Sequence, residues 1–184
     1  MSPKISLRSL VTAALLCAIG IIIPMFSPIR VLLEPASFTL GVHVPIFIAM
    51  FISPGIGGAV ALGAALGFLF GGFPLVIVAR ALTHCAFAVV GARMLQKEPE
   101  LLTSFVRMPL LLLYTSLLHA ICEVAAVVPF YFGNNMAQGW YKSGFAISVL
   151  LLVGLGTVVH HVVDFYIALI IWKPLQKHRG FGRT

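Results

Sequence analysis

Charged side chains are scarce in this sequence: they make up 9% of the 184 residues, and only five are acidic. From Pro35 to Ala79, 45 consecutive residues include no Lys, Arg, Asp or Glu. One helix of that length would be roughly 67 Å long, about twice the ~30 Å hydrocarbon core of a bilayer. This scarcity excludes a soluble domain, and we expect the run to cross a membrane twice, with a turn at Ser53-Pro54-Gly55.

Cysteines are few and several functional motifs are missing. The three cysteines, Cys17, Cys85 and Cys122, show no CxxC spacing, which argues against disulfide, redox and thiolate-metal sites. The chain contains no HExxH, GxSxG or Walker sequence, so it lacks these hydrolytic sites and cannot power transport alone. No segment resembles a channel filter. These absences favour a binding protein that depends on partners, and we predict neither catalytic residues nor a cofactor or metal.

Apolar residues dominate instead: 60% of the residues are hydrophobic, and the mean hydropathy is +1.08. Charges and Pro/Gly clusters divide the chain into six apolar segments. We therefore predict an all-α polytopic membrane protein, with residues 1–184 forming a single integral membrane domain. The predicted helices cover about 9–27, 40–53, 55–71, 74–94, 108–131 and 145–172.

Basic residues are distributed unevenly over the predicted loops. Because cytoplasmic loops collect Lys and Arg, we place both termini in the cytoplasm, which puts nine basic residues inside and only Arg30 and Lys142 outside. The nine are Lys4, Arg8, Arg93, Lys97, Arg107, Lys173, Lys177, Arg179 and Arg183. The asymmetry predicts six membrane spans. It also attributes the net charge of +7 to topology rather than to nucleic-acid binding.

Small residues repeat every four positions in two predicted helices. The third helix carries Gly55, Ala59, Gly63, Gly67 and Gly71, and the first carries Ala14 and Ala18. Such stripes let a neighbouring helix backbone approach closely. Packing within the chain and docking of another membrane protein are both compatible with this pattern.

Polar side chains at membrane depth occur in pairs spaced i,i+4, which puts both members on one helix face. The pairs are Arg80 and His84, His119 and Glu123, and His160 and Asp164, with His161 adjacent. If the three faces converge, the bundle contains a polar pocket. Alternatively, Arg80 neutralises a carboxylate as a structural ion pair. The position of Asp164 nearer the cytoplasmic end favours it over Glu123 as that structural partner.

A second polar group lies near the predicted outer ends of the helices. It comprises His43, Tyr131, Asn134, Asn135 and Trp140, followed by Tyr141. Hydrogen-bond donors and aromatic faces at the external mouth suit a small polar ligand. An interfacial aromatic belt is an equally good interpretation of Trp140 and Tyr141.

The chain combines its size and six predicted helices with an AxxxA motif at Ala14 and Ala18 and a long first external loop, "SPIRVLLEPASFTLG". In this combination it resembles the substrate-binding S components of energy-coupling factor (ECF) vitamin transporters. The segments "HVPIFIAMFISPGIGGAVALGAALGFLFGGFP" and "RALTHCAFAVVGA" are similar to S components that share a common energising module.

The resemblance implies an outward-facing vitamin pocket, covered by the first external loop and contacted by the fourth to sixth helices. It implies a transmembrane T component and two cytoplasmic ATPases as partners, with Ala14 and Ala18 as the docking surface. ATP hydrolysis would then occur on the partners, and the chain itself would not be an enzyme. The predicted substrate-binding residues are Arg80, His84, His119, Glu123, His43, Asn134, Asn135, Tyr131, Trp140 and His161.

The buried guanidinium of Arg80 favours a carboxylate vitamin, because its planar fork of donors matches two oxygens. We rank pantothenate first, since Asn134, Asn135, His119 and Glu123 could serve its amide and hydroxyls. Nicotinate, which needs mainly aromatic stacking, ranks second. A hydroxymethylpyrimidine or pyridoxine-type vitamin follows if Arg80 is already paired with Glu123.

A competing hypothesis is a small integral membrane enzyme or metal-binding protein. Its ligands or catalytic groups would be His119, Glu123, His160, His161 and Asp164, which are metal-ligand residue types. The N-terminal Ser2-Pro3-Lys4 lacks the histidine usual in metal-uptake relatives of the S components, which disfavours that version.

Overall fold

Helices form most of the part of the chain that the computed structural model describes, residues 7–26, 30–33 and 36–177. In chain order the elements are α1 (Leu7–Phe26), β1 (Arg30–Leu33), β2 (Ala36–Thr39), α2 (Val44–Ile52), α3 (Pro54–Phe70), α4 (Leu75–Lys97), α5 (Arg107–Phe132), α6 (Gly139–Lys142) and α7 (Gly156–Lys177). A 3-10 turn at Pro99–Leu102 precedes α5, and a π-helical segment, Ala146–Leu155, runs directly into α7.

Within the described residues, four helices are long and apolar enough to cross a membrane: Ser9–Phe26, Leu75–Lys97, Arg107–Phe132 and Ala146–Gln176. The apolar helix α3 has 17 residues. The second predicted span was too long, because α2 has nine residues, and at 1.5 Å per residue it is only about 13 Å long. The chain is thus a multi-pass membrane protein, while the predicted count of six spans stays a prediction. The predicted cytoplasmic termini fall largely outside the described residues.

The predicted turn after the second segment is confirmed as a break between α2 and α3. Ser53 has an extended backbone (φ −167°), and its hydroxyl accepts a hydrogen bond from the backbone N–H of Ile56 at 3.3 Å. Pro54 follows at the first helical position, where its missing N–H needs no intrahelical partner. The serine cap and the proline therefore begin α3 directly after α2 ends.

Helix α2 lies at the centre of the bundle. Eight of its nine residues are buried, and it contacts α1, α3, α4 and α7. Phe47 packs against Phe87 of α4 and Phe165 of α7, with ring centroids 5.3 and 5.4 Å apart. Helix α2 is apolar on all sides because every side faces another helix, and its N-terminus positions His43 in the bundle interior.

β1 and β2 form a short antiparallel strand pair within the predicted first external loop. Arg30 pairs with Thr39, and Leu33 pairs with Ala36. The all-α prediction did not include these strands. Gly41 follows β2 with φ +83°, a conformation that favours glycine, and the chain then enters α2.

Two glycines of the predicted stripe on α3 pack against α1. A Cβ added to Gly63 would lie 2.0 Å from Cys17 Sγ, and one added to Gly67 would lie 2.7 Å from the Ile21 Cα. These positions therefore serve packing within the chain. Gly55, by contrast, is exposed and has no neighbouring atom within 4 Å of an added Cβ.

The variant Gly67→Ala is expected to destabilise the protein by about 1–3 kcal/mol, because the new methyl group meets the backbone of α1. Gly55→Ala is the matched control, and it should be neutral or slightly stabilising since alanine is the better helix former. Thermal unfolding of both variants in detergent micelles measures the difference. Equal stability of the two variants would contradict the close approach of α1 to α3.

Candidate functional site

The predicted polar faces of three helices converge in the bundle interior. Arg80 and His84 come from the N-terminal half of α4, His119 and Glu123 from α5, and Asp164 from α7. All five side chains are buried, with exposed fractions of 7% or less. The convergence follows from the i,i+4 spacing, which concentrates each helix's polar atoms on the one stripe that faces the interior.

Arg80 forms an ion pair with Glu123. Its Nε and Nη2 atoms donate to the same Glu123 oxygen, Oε2, at 3.2 and 2.9 Å. The Thr157 hydroxyl donates to this oxygen as well. The expectation that Asp164 would be the structural partner was wrong. Glu123, in the C-terminal half of α5, lies beside Arg80 in the N-terminal half of α4, whereas Asp164 contacts the residues before α2.

Asp164 instead attaches the beginning of α2 to α7. Its carboxylate accepts hydrogen bonds from the backbone N–H groups of Gly41 and His43 at 2.9 and 3.1 Å, and the His43 Nδ1 atom lies 3.1 Å from Oδ2. His160 Nε2 lies 3.1 Å from the same oxygen. This one carboxylate therefore fixes the residues that connect the strand pair to the bundle.

His43, His84 and His119 form a compact group, here called the three-histidine cluster. Their ring centroids are 4.5 to 4.9 Å apart. His84 Nε2 lies 3.3 Å from His43 Nε2 and 3.4 Å from Glu123 Oε1. His119 Nε2 lies 3.4 Å from the same Glu123 oxygen. The cluster thus adjoins the Arg80–Glu123 ion pair.

His161 lies behind this cluster, at the side away from the ion pair. Its Nδ1 atom is 3.0 Å from His119 Nδ1, and its Nε2 atom is 3.1 Å from the Thr115 hydroxyl. Both His161 and Thr115 are fully buried. His161 therefore orients His119.

A cavity of about 50 Å³ opens next to the ion pair. Its polar lining residues are Thr39, His43, Arg80, His84, Glu123, Thr157 and His160, and its apolar ones are Val42, Phe68, Phe73, Ile77 and Ala81. Ordinary small-molecule sites measure about 300–1,000 Å³. The cavity is therefore smaller than an ordinary small-molecule site, and a ligand the size of a vitamin requires the lining to move.

Four predicted site residues lie elsewhere, at the end of α5 and in the segment that leads to the π helix. Tyr131 packs against Tyr141, with ring centroids 5.0 Å apart. Trp140 is buried in an apolar cluster with Val127. The remaining two, Asn134 and Asn135, are exposed in the turn after α5. The cavity lining does not include these four residues, and their contact with a ligand stays a prediction.

Two threonines beside the polar cluster, Thr157 and Thr115, were not among the predicted site residues, although the sequence contains a signal for them. Thr157 precedes His160, His161 and Asp164 with the spacing i, i+3, i+4, i+7, which marks one face of α7. On α5, Thr115 lies four residues before His119 on the same face. A search for all polar residues on these faces, rather than for charged pairs, would have found both threonines.

Ala14 and Ala18 lie on an exposed face of α1. The buried residues Leu16 and Gly20 turn toward the bundle, and Gly20 approaches Ala64 of α3. Neither alanine is needed to pack α1 against the rest of the chain. Their role in docking a partner stays a prediction.

Comparison with known proteins shows that the chain is similar to a vitamin transporter. The chain is 38% identical over 174 residues to the niacin transporter NiaX of Lactococcus lactis subsp. cremoris (strain MG1363), an alignment that covers 95% of this chain and 77% of the relative. No family model and no solved structure matches the chain.

Identity at this level, over nearly the whole chain, is the mark of common descent and a shared fold. The apolar helices and the relative together make the protein a multi-pass protein of the cell membrane. The chain belongs to the S components of the energy-coupling factor vitamin transporters.

Proposed function

We propose that this S component binds niacin, in its carboxylate form nicotinate, and delivers it for uptake. The observation that carries the proposal is the 38% identity to a niacin transporter along 95% of the chain. Nicotinate ranked second in the sequence analysis, behind pantothenate. Two properties of the cavity support ranking nicotinate before pantothenate.

The first property is the composition of the cavity wall. Pantothenate ranked first partly because Asn134 and Asn135 could serve its amide and hydroxyls, but both lie away from the cavity lining. The lining offers Arg80 for a carboxylate and the rings of Phe68 and Phe73 for a flat aromatic molecule. A small planar carboxylate matches this combination better than a long flexible one.

The second property is the small volume of the cavity. At about 50 Å³ it must widen for any vitamin, and the movement required is smaller for a single aromatic ring than for the extended pantothenate chain. Binding also requires rearrangement of charge, because Arg80 is paired with Glu123. We infer that the nicotinate carboxylate shares or replaces the Glu123 carboxylate at the guanidinium.

Transport then requires partners. As an S component of this type, the chain would dock on a transmembrane T component through the face of α1 that carries Ala14 and Ala18. Two cytoplasmic ATPases would supply the energy, since the sequence contains no nucleotide-binding motif of its own. The chain itself acts as the vitamin-binding subunit.

Calorimetric titration of the detergent-purified protein with nicotinate, nicotinamide, pantothenate, pyridoxine and a hydroxymethylpyrimidine tests the substrate. We expect one nicotinate per chain and no heat from pantothenate. Tight pantothenate binding without nicotinate binding would overturn the proposal.

Arg80→Lys separates the role of the guanidinium fork from that of the charge. Hydrogen bonds to charged groups contribute about 1.5–3 kcal/mol, so we expect nicotinate affinity to fall roughly 10- to 100-fold. Nicotinamide, which lacks the carboxylate, should lose little, and the same titration measures both. Equal losses for the two ligands would mean that Arg80 acts only through the structure of the site.

A further inference from the structure

We propose that His43, His84 and His119 form a binding site for a divalent transition-metal ion of the zinc type. The proposal rests on the geometry of these histidines and holds whichever vitamin the protein carries. From the sequence alone, His43 and His84 were predicted only as substrate-binding residues, whereas His119 was also a candidate metal ligand in the competing hypothesis.

The ring nitrogens of the three-histidine cluster lie at distances that suit a shared metal ion. One nitrogen from each histidine lies within 4.8 Å of the other two, and the His43 and His84 Nε2 atoms are 3.3 Å apart. Zinc–nitrogen bonds of 2.0–2.1 Å in a tetrahedral site place two ligand nitrogens about 3.3–3.4 Å apart. Glu123 Oε1 lies 3.4 Å from both His84 Nε2 and His119 Nε2, so it adjoins the proposed ion.

The contact with Asp164 decides which nitrogen of His43 carries the proton. Its Nδ1 atom lies 3.1 Å from the Asp164 carboxylate, an acceptor. The neutral ring therefore carries its proton on Nδ1, and the lone pair of Nε2 points into the cluster.

The protonation of His119 follows from the chain of contacts behind it. The Thr115 hydroxyl donates to the Leu111 carbonyl at 2.9 Å, so it accepts from His161 Nε2. His161 Nδ1 is then an acceptor, and His119 Nδ1 donates to it at 3.0 Å. The Nε2 atom of a neutral His119 is left with a lone pair that faces the Glu123 carboxylate.

The lone pairs of His43 Nε2 and His119 Nε2 therefore converge on the same space as Glu123 Oε1. Within the described part of the chain, no hydrogen-bond donor lies between His119 Nε2 and this carboxylate oxygen. His119 Nε2 has no hydrogen-bond partner among the described residues, and neither has His84 Nδ1. A cation among the three rings resolves this arrangement, because it accepts electron pairs from the Nε2 atoms of His43, His84 and His119. His84 then carries its proton on Nδ1, which points away from the ion. Buried neutral imidazoles are suitable ligands for ions of the zinc type.

The surroundings of the cluster resemble those of known metal ligands. A metal-bound histidine almost always donates its other ring N–H to a carboxylate or another acceptor, which fixes its orientation. His43 has Asp164 in this position, and His119 has His161. Two of the three proposed ligands thus have the outer partner that a metal site requires.

A second group, His43 with His160 and Asp164, also has ligand atoms close together. In that group the Asp164 carboxylate already accepts two backbone N–H groups and faces His43 Nδ1. We therefore assign Asp164 to orienting His43, and His160 becomes the matched control.

The test uses the full chain, purified in detergent with its affinity tag removed, because a histidine tag binds the same ions. Protein stripped with a chelator is equilibrated with micromolar Zn²⁺ or Co²⁺, and the bound metal is counted by mass spectrometry. We expect one ion per chain, and a tetrahedral visible spectrum for cobalt. A wild-type protein that retains no ion would overturn the proposal, since protons would then satisfy the lone pairs.

Variants identify the ligands. His84→Ala and His119→Ala should lose the bound ion, His160→Ala should keep it, and Asp164→Asn should weaken binding about 10- to 100-fold. Loss in His160→Ala with retention in His84→Ala would overturn the assignment. If the ligand variants do not fold, X-ray absorption of the zinc-loaded wild type counts the imidazole ligands directly; three support the proposal and fewer overturn it.

Nicotinate titration of stripped and zinc-loaded protein keeps this inference separate from the proposed function. Nicotinate binding by a protein that binds no ion overturns only the metal site. Ion binding by a protein that binds no nicotinate supports the metal site and overturns only the proposed substrate.

Discussion

Replacing Arg80 with alanine is expected to lower the free energy of unfolding by about 3–5 kcal/mol, because it leaves the Glu123 carboxylate buried without its cation. The two side chains are only 8% and 5% exposed, and their charged atoms are 2.9 Å apart. Removing one charge from such a pair strands the other in a medium that solvates it poorly. Thermal or denaturant unfolding in mild detergent measures the loss.

The double variant Arg80→Ala with Glu123→Ala should recover most of that stability, because no uncompensated charge remains. Arg107→Ala provides a matched control at the surface. Arg107 also pairs with a carboxylate, Glu98 at 2.6 Å, but the two side chains are 45% and 58% exposed. Exposed pairs contribute about 0–1 kcal/mol, so this control should unfold almost like the wild type.

Additive losses in the double variant would contradict the ion pair. So would an Arg80→Ala variant as stable as the Arg107→Ala control. Either result would mean that Arg80 and Glu123 do not compensate each other, and that the guanidinium is available to a ligand without any rearrangement.

Ala14→Trp or Ala18→Trp is expected to abolish vitamin uptake while leaving vitamin binding intact. Both alanines lie on an exposed face of α1 and take no part in its buried contacts. A tryptophan there does not disturb the bundle, but it prevents the close backbone approach that small residues allow between membrane helices. Uptake of radiolabelled nicotinate by cells that express the whole transporter measures the effect.

Ile170→Trp is the matched control for this experiment, because Ile170 is 71% exposed on a different helix, α7. It should leave uptake unchanged. Titration of each purified variant with nicotinate shows whether its site is intact. Normal uptake by both alanine variants would exclude this face of α1 as the docking surface, and loss of binding together with uptake would indicate misfolding instead.

Much of the fold could be predicted from local pattern alone. The charge-free run and the Ser53-Pro54 turn identified a membrane protein and the break between α2 and α3, because both depend only on neighbouring residues. The i,i+4 pairs identified the polar faces of α4, α5 and α7 for the same reason. The span predicted from hydropathy was too long at α2. The apolar segment suggested a membrane span, but it contains a nine-residue helix buried among other helices.

The predicted convergence of polar faces is seen where the residues share a helix face, and the prediction was incomplete where the chain must be folded first. Substrate binding by these residues stays a prediction. Arg80, His84, His119 and Glu123 meet as expected from their spacing. His43 joins them from the residues before α2, where no periodic pattern links it to the others. Asn134 and Asn135 seemed suited to a ligand by residue type, yet the turn after α5 exposes them away from the cavity lining.

The sequence by itself therefore determined that this is a membrane protein with a polar interior. The first property follows from the hydropathy of its segments, and the second follows from the helical periodicity of its polar residues. Only the tertiary structure decided that Arg80 pairs with Glu123, that Asp164 holds His43, and that three histidines from separate elements meet. The physical reason is that these pairings depend on the depth and rotation of each helix relative to its neighbours. Those quantities are set by packing between distant segments, such as Gly67 against Ile21.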